Sequence, residues 1–164
     1  MVFDWIDRMN EAIGRILAWF MVVMALLMVS VVLLRYVFGI GTLILQESIL
    51  YLHGTSFMLT IAWALKRGGH VRVDVFYGRM TLRQRNLVDL TGHLLLLLPV
   101  CVLVFWTSIP YVQASWRILE GSADVGGIPG VFILKTLIPI FAILLFLQGL
   151  CEIARAVKGI PPNV

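Results

Sequence analysis

The sequence predicts an all-α integral membrane protein with four transmembrane helices. Of the 164 residues, 60% are hydrophobic and 13% are charged, whereas soluble domains carry about 25% charged residues. The apolar residues are gathered in four blocks, each near the ~20 residues that a helix needs to cross a bilayer. Because no charge-rich segment is long enough to form a separate soluble domain, we expect one membrane domain over residues 1–164.

The four predicted spans follow from runs without charged side chains. Lysine at position 135 is included in the last span because its long side chain can reach the membrane surface. The charge-free runs are 16–34, 48–65, 91–116 and 136–151. With interfacial residues added, the spans are predicted at about 16–38, 46–65, 88–116 and 131–152.

Before the first span, the sequence predicts an amphipathic N-terminal lead-in helix. Trp5, Met9, Ile13 and Ile16 share one helical face, and charged residues occupy the other. Such a helix is typical of a membrane interface. The early acidic residues and the long apolar block also argue against a cleavable signal peptide.

Local signals refine the third and fourth spans. Thr81 and Gln84 have the spacing of a capping box, which predicts that a helix begins there and leads into the third span. Prolines inside the spans, Pro99, Pro110 and Pro139, are predicted to kink their helices.

The distribution of lysine and arginine predicts the orientation in the membrane. Three basic residues lie on one side of the predicted spans: Arg35, Arg117 and Lys135. Ten lie on the other side: Arg8, Arg15, Lys66, Arg67, Arg72, Arg79, Arg83, Arg85, Arg155 and Lys158. By the positive-inside rule both termini are then cytoplasmic, and the loops near 39–46 and 117–134 face outward.

Arg35 and Glu47 are the most informative charges at the membrane edge. A short connection over 39–42 would place them at similar depth, where they could pair. Charges in lipid are costly and are usually functional. Three interpretations stay open: a clamp within the helical hairpin, a contact with a partner subunit, and a proton or substrate site.

Small side chains form a stripe on the second span. Ser48, Ser56, Thr60 and Ala64 are spaced by four or eight residues. Small residues let helices approach closely in lipid, so the stripe predicts a packing face, either internal or between subunits.

The segment after the second span alternates polar and branched apolar residues. His70, Arg72 and Asp74 are its polar members, and they form either a solvated loop or a docking element. One histidine and one aspartate make a poor ligand set for a metal.

The sequence favours neither a cofactor nor catalysis. His53 lies about 18 Å from the cytoplasmic end of its helix, whereas His93 is about one turn from the end of its own, so the two are poor axial ligands for one haem. Cys101 and Cys151 are expected at different depths, which disfavours a disulfide. No phosphate-binding loop, nucleophile–base pair or zinc-protease motif occurs. We therefore predict no catalytic, cofactor or metal residues.

Three short motifs in order resemble one family. They are Arg35 to Gly39 after the first span, Gln46-Glu47 before the second, and Gly69 to Asp74 after it. Residues 126–150 are similar to the family's last helix. Together these motifs resemble the DctQ-type small membrane subunit of tripartite ATP-independent periplasmic (TRAP) transporters. The chain departs from many relatives at Gln46-Glu47, where those have two consecutive acidic residues.

The resemblance implies a non-catalytic scaffold subunit in a bacterial inner membrane. Its implied partners are membrane lipid, a large multi-span membrane subunit that moves as an elevator, and a periplasmic substrate-binding protein. The implied transport is cation-coupled import of an organic acid, with sodium as the expected cation, and no nucleic acid is involved. Candidate interface or structural residues are Arg35, Gln46, Glu47, Ser56, Thr60, His70, Arg72 and Asp74.

Other classes of protein remain as alternatives. A haem-binding or other electron-transfer anchor is disfavoured by the histidine depths, and a small self-assembling exporter requires an acidic residue deeper in the membrane than Glu47. A membrane enzyme lacks its nucleophile. For the scaffold interpretation, replacing Arg35 or Glu47 is predicted to lower recovery of the complex more than it alters substrate preference.

Overall fold

Helices account for all the regular secondary structure in residues 2–69 and 78–157, which are the residues that the computed structural model describes. The elements are α1 (Val2–Val37), α2 (Leu43–Lys66), α3 (Leu82–Gly92), a π-helical turn (His93–Leu97), α4 (Leu98–Arg117) and α5 (Val131–Val157). Because α3, the π-helical turn and α4 are continuous, four helices are long and apolar enough to cross a membrane. The predicted fold class is confirmed.

The helices pack in the spatial order α1–α2–α5–α4. α1 packs on α2, α2 packs on α5, and α5 packs on α4, while α3, the π-helical turn and part of α1 also lie against α5. α1 and α4 occupy the two ends of this row. Large apolar side chains on both end helices therefore stay exposed, among them Trp19 and Leu26 of α1 and Leu103 and Trp106 of α4.

The predicted lead-in is continuous with the first span, since α1 is a single helix of 36 residues. Ile6, Asn10 and Leu17 are buried on one side of it, and Trp5 and Trp19 are exposed on the other. Asp7, Asn10 and Glu11 thus turn toward the neighbouring helices, whereas Arg8 and Arg15 stay exposed.

The third spanning helix begins as predicted. The Thr81 amide donates to Gln84 Oε1 at 2.9 Å and the Gln84 amide donates to Thr81 Oγ1 at 3.4 Å, which completes the capping box. The π-helical turn precedes Pro99, which has no N–H to continue the helical hydrogen bonds. Pro110 and Pro139 lie inside α4 and α5, which continue through them.

Gly14 permits the close approach of α1 to α2, and its replacement tests that packing. A Cβ at Gly14 would lie 2.7 Å from Trp63 Cδ1, so Gly14→Ala is expected to destabilise the fold by about 1–3 kcal/mol despite alanine's better helix propensity. Gly92→Ala is the matched control, because nothing lies within 4 Å of its Cβ and the fold should gain stability. Thermal unfolding in detergent measures both, and equal effects would contradict the close contact.

Candidate functional site

A cluster of five polar side chains joins the two ends of the chain. We call it the termini-side cluster, and it consists of Asp7, Asn10, Gln148, Glu152 and Arg155. Gln148 is fully buried at its centre. Gln148 Oε1 accepts from Asn10 Nδ2 at 2.7 Å, and Gln148 Nε2 donates to Glu152 Oε1 at 2.8 Å and Asp7 Oδ1 at 3.3 Å. The side-chain amide therefore uses both its donor and its acceptor to join α1 to α5.

Arg155 supplies the positive charge that both carboxylates of this cluster contact. Its Nη1 lies 2.5 Å from Glu152 Oε1, and its Nη2 donates to Asp7 Oδ2. All three side chains are mostly buried. Because buried carboxylates need a counter-charge, removing Arg155 would leave Asp7 and Glu152 without one.

A second group of contacts at the same end joins α1 to α2. Glu11 lies 2.6 Å from Arg67 Nη2 and 3.3 Å from both Lys66 Nζ and Trp63 Nε1. Lys66 also donates to the carbonyl of Asp7 at 3.1 Å. Asp7 and Glu11 of the lead-in are therefore engaged with α5 and α2, respectively.

At the other end of the bundle, Glu47 near the start of α2 holds the loop that connects α4 to α5. Its carboxylate accepts one hydrogen bond from the Ser122 hydroxyl and another from the Ile128 amide. The Ser122 amide in turn donates to the Ile128 carbonyl at 3.1 Å, which closes the loop on itself. A side chain at Gly127 would collide with Glu47 and Ser122, so glycine is needed there. We call Glu47, Ser122 and Ile128 the loop-side cluster.

Lys135 connects the same loop to α4 and α5. Its Nζ lies 2.5 Å from Glu120 Oε2 and 4.2 Å from the centre of the Tyr111 ring. The lysine that was predicted to reach the membrane surface is therefore held by a carboxylate of the loop. Beside it, Trp116 Nε1 donates to Thr136 Oγ1 at 2.9 Å, which adds a second tie between α4 and α5.

Glu120 makes this tie sensitive to pH. The hydrogen bond from Lys135 lowers the pKa of Glu120 below its ordinary value of 4.5. The contact therefore stabilises the fold fully above pH 4.5 and is lost as the pH falls through the lowered pKa of the folded state. Its contribution is modest because the Glu120 side chain is 31% exposed.

We expect this sensitivity to appear in the protection of the loop amides. At pH 7, hydrogen exchange over 118–130 should be slower in the wild-type chain than in Glu120→Gln. Below the lowered pKa the two chains should exchange at the same rate, since both then carry a neutral side chain at this position. Comparison at equal pH cancels the intrinsic acid dependence of exchange, and a difference that persists in acid would contradict the ion pair.

The structure separates the two charges that the sequence placed at one depth. Glu47 is bonded to the loop-side cluster, whereas Arg35 is exposed and has no ion pair within the described residues. The possible Arg35–Glu47 pair is therefore not formed. The reason is that the 118–130 loop folds over α2 and supplies two donors to the carboxylate.

The other predicted site residues are distributed over several surfaces. Gln46 is exposed, Ser56 is buried and Thr60 is half-buried. His70, Arg72 and Asp74 lie outside the described residues.

Sequence reasoning missed the termini-side cluster. The one available signal was Gln148, a long polar side chain in the apolar run 136–151. Its partners Asp7 and Asn10 are about 140 positions away along the chain, and no spacing rule connects them.

Within residues 2–69 and 78–157, no group of three or more histidine, cysteine, aspartate or glutamate side chains could hold a metal ion. Cys101 and Cys151 are free and buried. The charged clusters connect the chain's own helices to each other. Fold and clusters together define a polytopic membrane protein braced at both ends of its helices.

Comparison with known families identifies the family within this class of membrane proteins. The family model described as "Tripartite ATP-independent periplasmic transporters, DctQ component" matches residues 23–159, and the chain belongs to this family. This is a family of transporter components and not of enzymes, and it establishes the resemblance drawn from the sequence motifs. No match to the chain was found among curated proteins or among solved structures.

Proposed function

We propose that this small membrane component is the fixed scaffold of its transporter. In this role it anchors a large elevator-type membrane subunit, which performs the import of an organic acid delivered by a periplasmic binding protein. The transport is cation-coupled, with sodium as the proposed cation. Family membership supports the general assignment, and the row of helices supports the scaffold role.

The observation that carries the proposal is that the charged side chains contact one another within this chain. The termini-side and loop-side clusters and the Lys135–Glu120 pair connect the chain's own helices at the two membrane boundaries. The middle of the bundle is left with mainly apolar side chains. A bundle braced at both boundaries resists shear, while an interior without a polar path is unsuited to carry a solute by itself.

The orientation and location are part of the proposal. The bias of lysine and arginine supports an orientation with both termini in the cytoplasm, and family membership supports a location in the bacterial inner membrane. The loop-side cluster then faces the periplasm. We further propose that exposed Arg35 and Gln46, which lie at that boundary, contribute to the interface with the large subunit, together with Ser56, Thr60, His70, Arg72 and Asp74.

Affinity purification of the tagged chain in mild detergent tests this function. We expect a stoichiometric, much larger polytopic membrane protein to be recovered with it, and mass spectrometry identifies that partner. The complex, reconstituted with its periplasmic binding protein, should take up substrate when a sodium gradient is imposed. Recovery of the chain alone or only with copies of itself would contradict the scaffold role, and uptake without a sodium gradient would contradict the proposed coupling.

A further inference from the structure

A groove runs between α1 and α2 on one exposed face of the row. Its volume is about 450 Å³, and its lining includes Leu17 and Ala18 from α1 and Ser56 and Thr60 from α2, with His53 and Phe57 beside them. Three residues of the small-residue stripe, Ser56, Thr60 and Ala64, thus line this open surface.

Several polar groups in this groove have no hydrogen-bond partner within the described residues, among them Ser56 and His53. Ser56 is only 7% exposed, and its buried Oγ has no partner in the described part of the chain. The His53 ring is exposed and stacks on Phe57 with a centroid distance of 6.4 Å, and no hydrogen bond to it is formed within residues 2–69 and 78–157. Unpaired polar groups are costly in hydrocarbon, so an occupant that pairs with them is expected.

The depth of these groups limits what can occupy the groove. α2 has 24 residues, and His53 lies ten residues after its start, which is roughly 15 Å along the helix and near the middle of the membrane. A lipid headgroup stays at the boundary, and an acyl chain has no hydrogen-bonding atom. A transmembrane helix can present a polar side chain at mid-depth.

A second hollow on the same molecule provides a comparison. It lies on α4 and is lined by Leu98, Pro99, Val102, Leu103 and Trp106, with Leu94 from the π-helical turn. Every one of these side chains is apolar or, for Trp106, mainly so. Acyl chains suffice to cover this surface, and no polar partner is needed there.

We propose that the α1–α2 groove docks a transmembrane helix of the large membrane subunit, which presents a polar side chain to His53 and Ser56. This inference rests on the proposed function, because it takes the large subunit as the partner. A second copy of this chain is a poor occupant. A symmetric contact would bring the groove against itself, and two concave surfaces leave a void between them.

Photo-crosslinking from the groove tests the location of the docking site. Phe57 is 67% exposed beside the groove, and Leu103 is 62% exposed in the apolar hollow, so Phe57→p-benzoylphenylalanine and Leu103→p-benzoylphenylalanine form a matched pair. In membranes that contain the whole transporter, we expect an adduct with the large subunit from position 57 and none from position 103. An adduct from position 57 with lipid only, or with a second copy of this chain, would overturn the proposal.

Substitution of His53 tests the proposed hydrogen bond to the partner helix. His53→Leu should lower the large subunit recovered with the tagged chain by about threefold or more, whereas His53→Gln should retain most of it because glutamine can still hydrogen-bond. The melting temperature of the isolated chain should not change, because His53 is exposed there. If the complex is recovered intact but His53→Leu has no effect, the groove assignment fails and the scaffold role stands. If no large subunit is recovered with the wild-type chain, both fail.

Discussion

Replacing Arg155 by leucine is expected to destabilise the isolated chain by about 3–5 kcal/mol, the cost of removing one partner from a buried ion pair. Arg155 contacts both Asp7 and Glu152, and all three side chains are mostly buried. Without the guanidinium, two carboxylates would share one site with only the Gln148 amide between them. Unfolding in mild detergent, followed by tryptophan fluorescence, measures the loss.

Two further variants show whether the positive charge of Arg155 is responsible for this loss of stability. Arg117→Leu removes an exposed arginine with no ion pair in the described part of the chain, and it should change stability by no more than about 0.5 kcal/mol. Arg155→Lys should recover part of the loss, since an ammonium group supplies the charge without the two-sided contact. Equal stability of Arg155→Leu and the wild type would show that the termini-side cluster does not brace α1 against α5.

Replacing Glu47 by alanine is expected to cost roughly 2–3 kcal/mol and to release the 118–130 loop from α2. The carboxylate accepts from the Ser122 hydroxyl and the Ile128 amide, and both are partly buried. Without it, the Ile128 amide would lose its partner in a site that water reaches poorly. Hydrogen exchange at residues 122–130 should accelerate, while exchange in the termini-side cluster should stay unchanged.

Glu47→Gln serves as the isosteric control for this variant. The glutamine oxygen can accept from the Ile128 amide, and the Ser122 hydroxyl can rotate to accept from the glutamine nitrogen, so the loss should be smaller. Assembly supplies a second measurement. Both Glu47→Ala and Arg35→Gln should lower recovery of the large subunit, but only Glu47→Ala should also lower the stability of the isolated chain. Unchanged assembly with altered substrate preference would contradict this assignment for either residue.

Some features of the protein are determined by the sequence alone, because they depend on neighbours along the chain. Four helical spans follow from the length of the apolar blocks, and the start of α3 follows from the spacing of Thr81 and Gln84. The three motifs in order, Arg35 to Gly39, Gln46-Glu47 and Gly69 to Asp74, indicated the family that the match over residues 23–159 establishes.

The partners of the polar side chains were decided only by the tertiary structure. Glu47 bonds to Ser122, 75 positions away, and Asp7 bonds to Arg155, 148 positions away. Hydropathy places each charge near a membrane boundary, but many charges share that boundary, and packing of the helices selects which ones meet. The spacing of small residues along α2 was enough to predict that the stripe with Ser56 is a packing face. That the stripe opens onto an exposed groove depends on how α1 lies against α2, which the spacing does not determine.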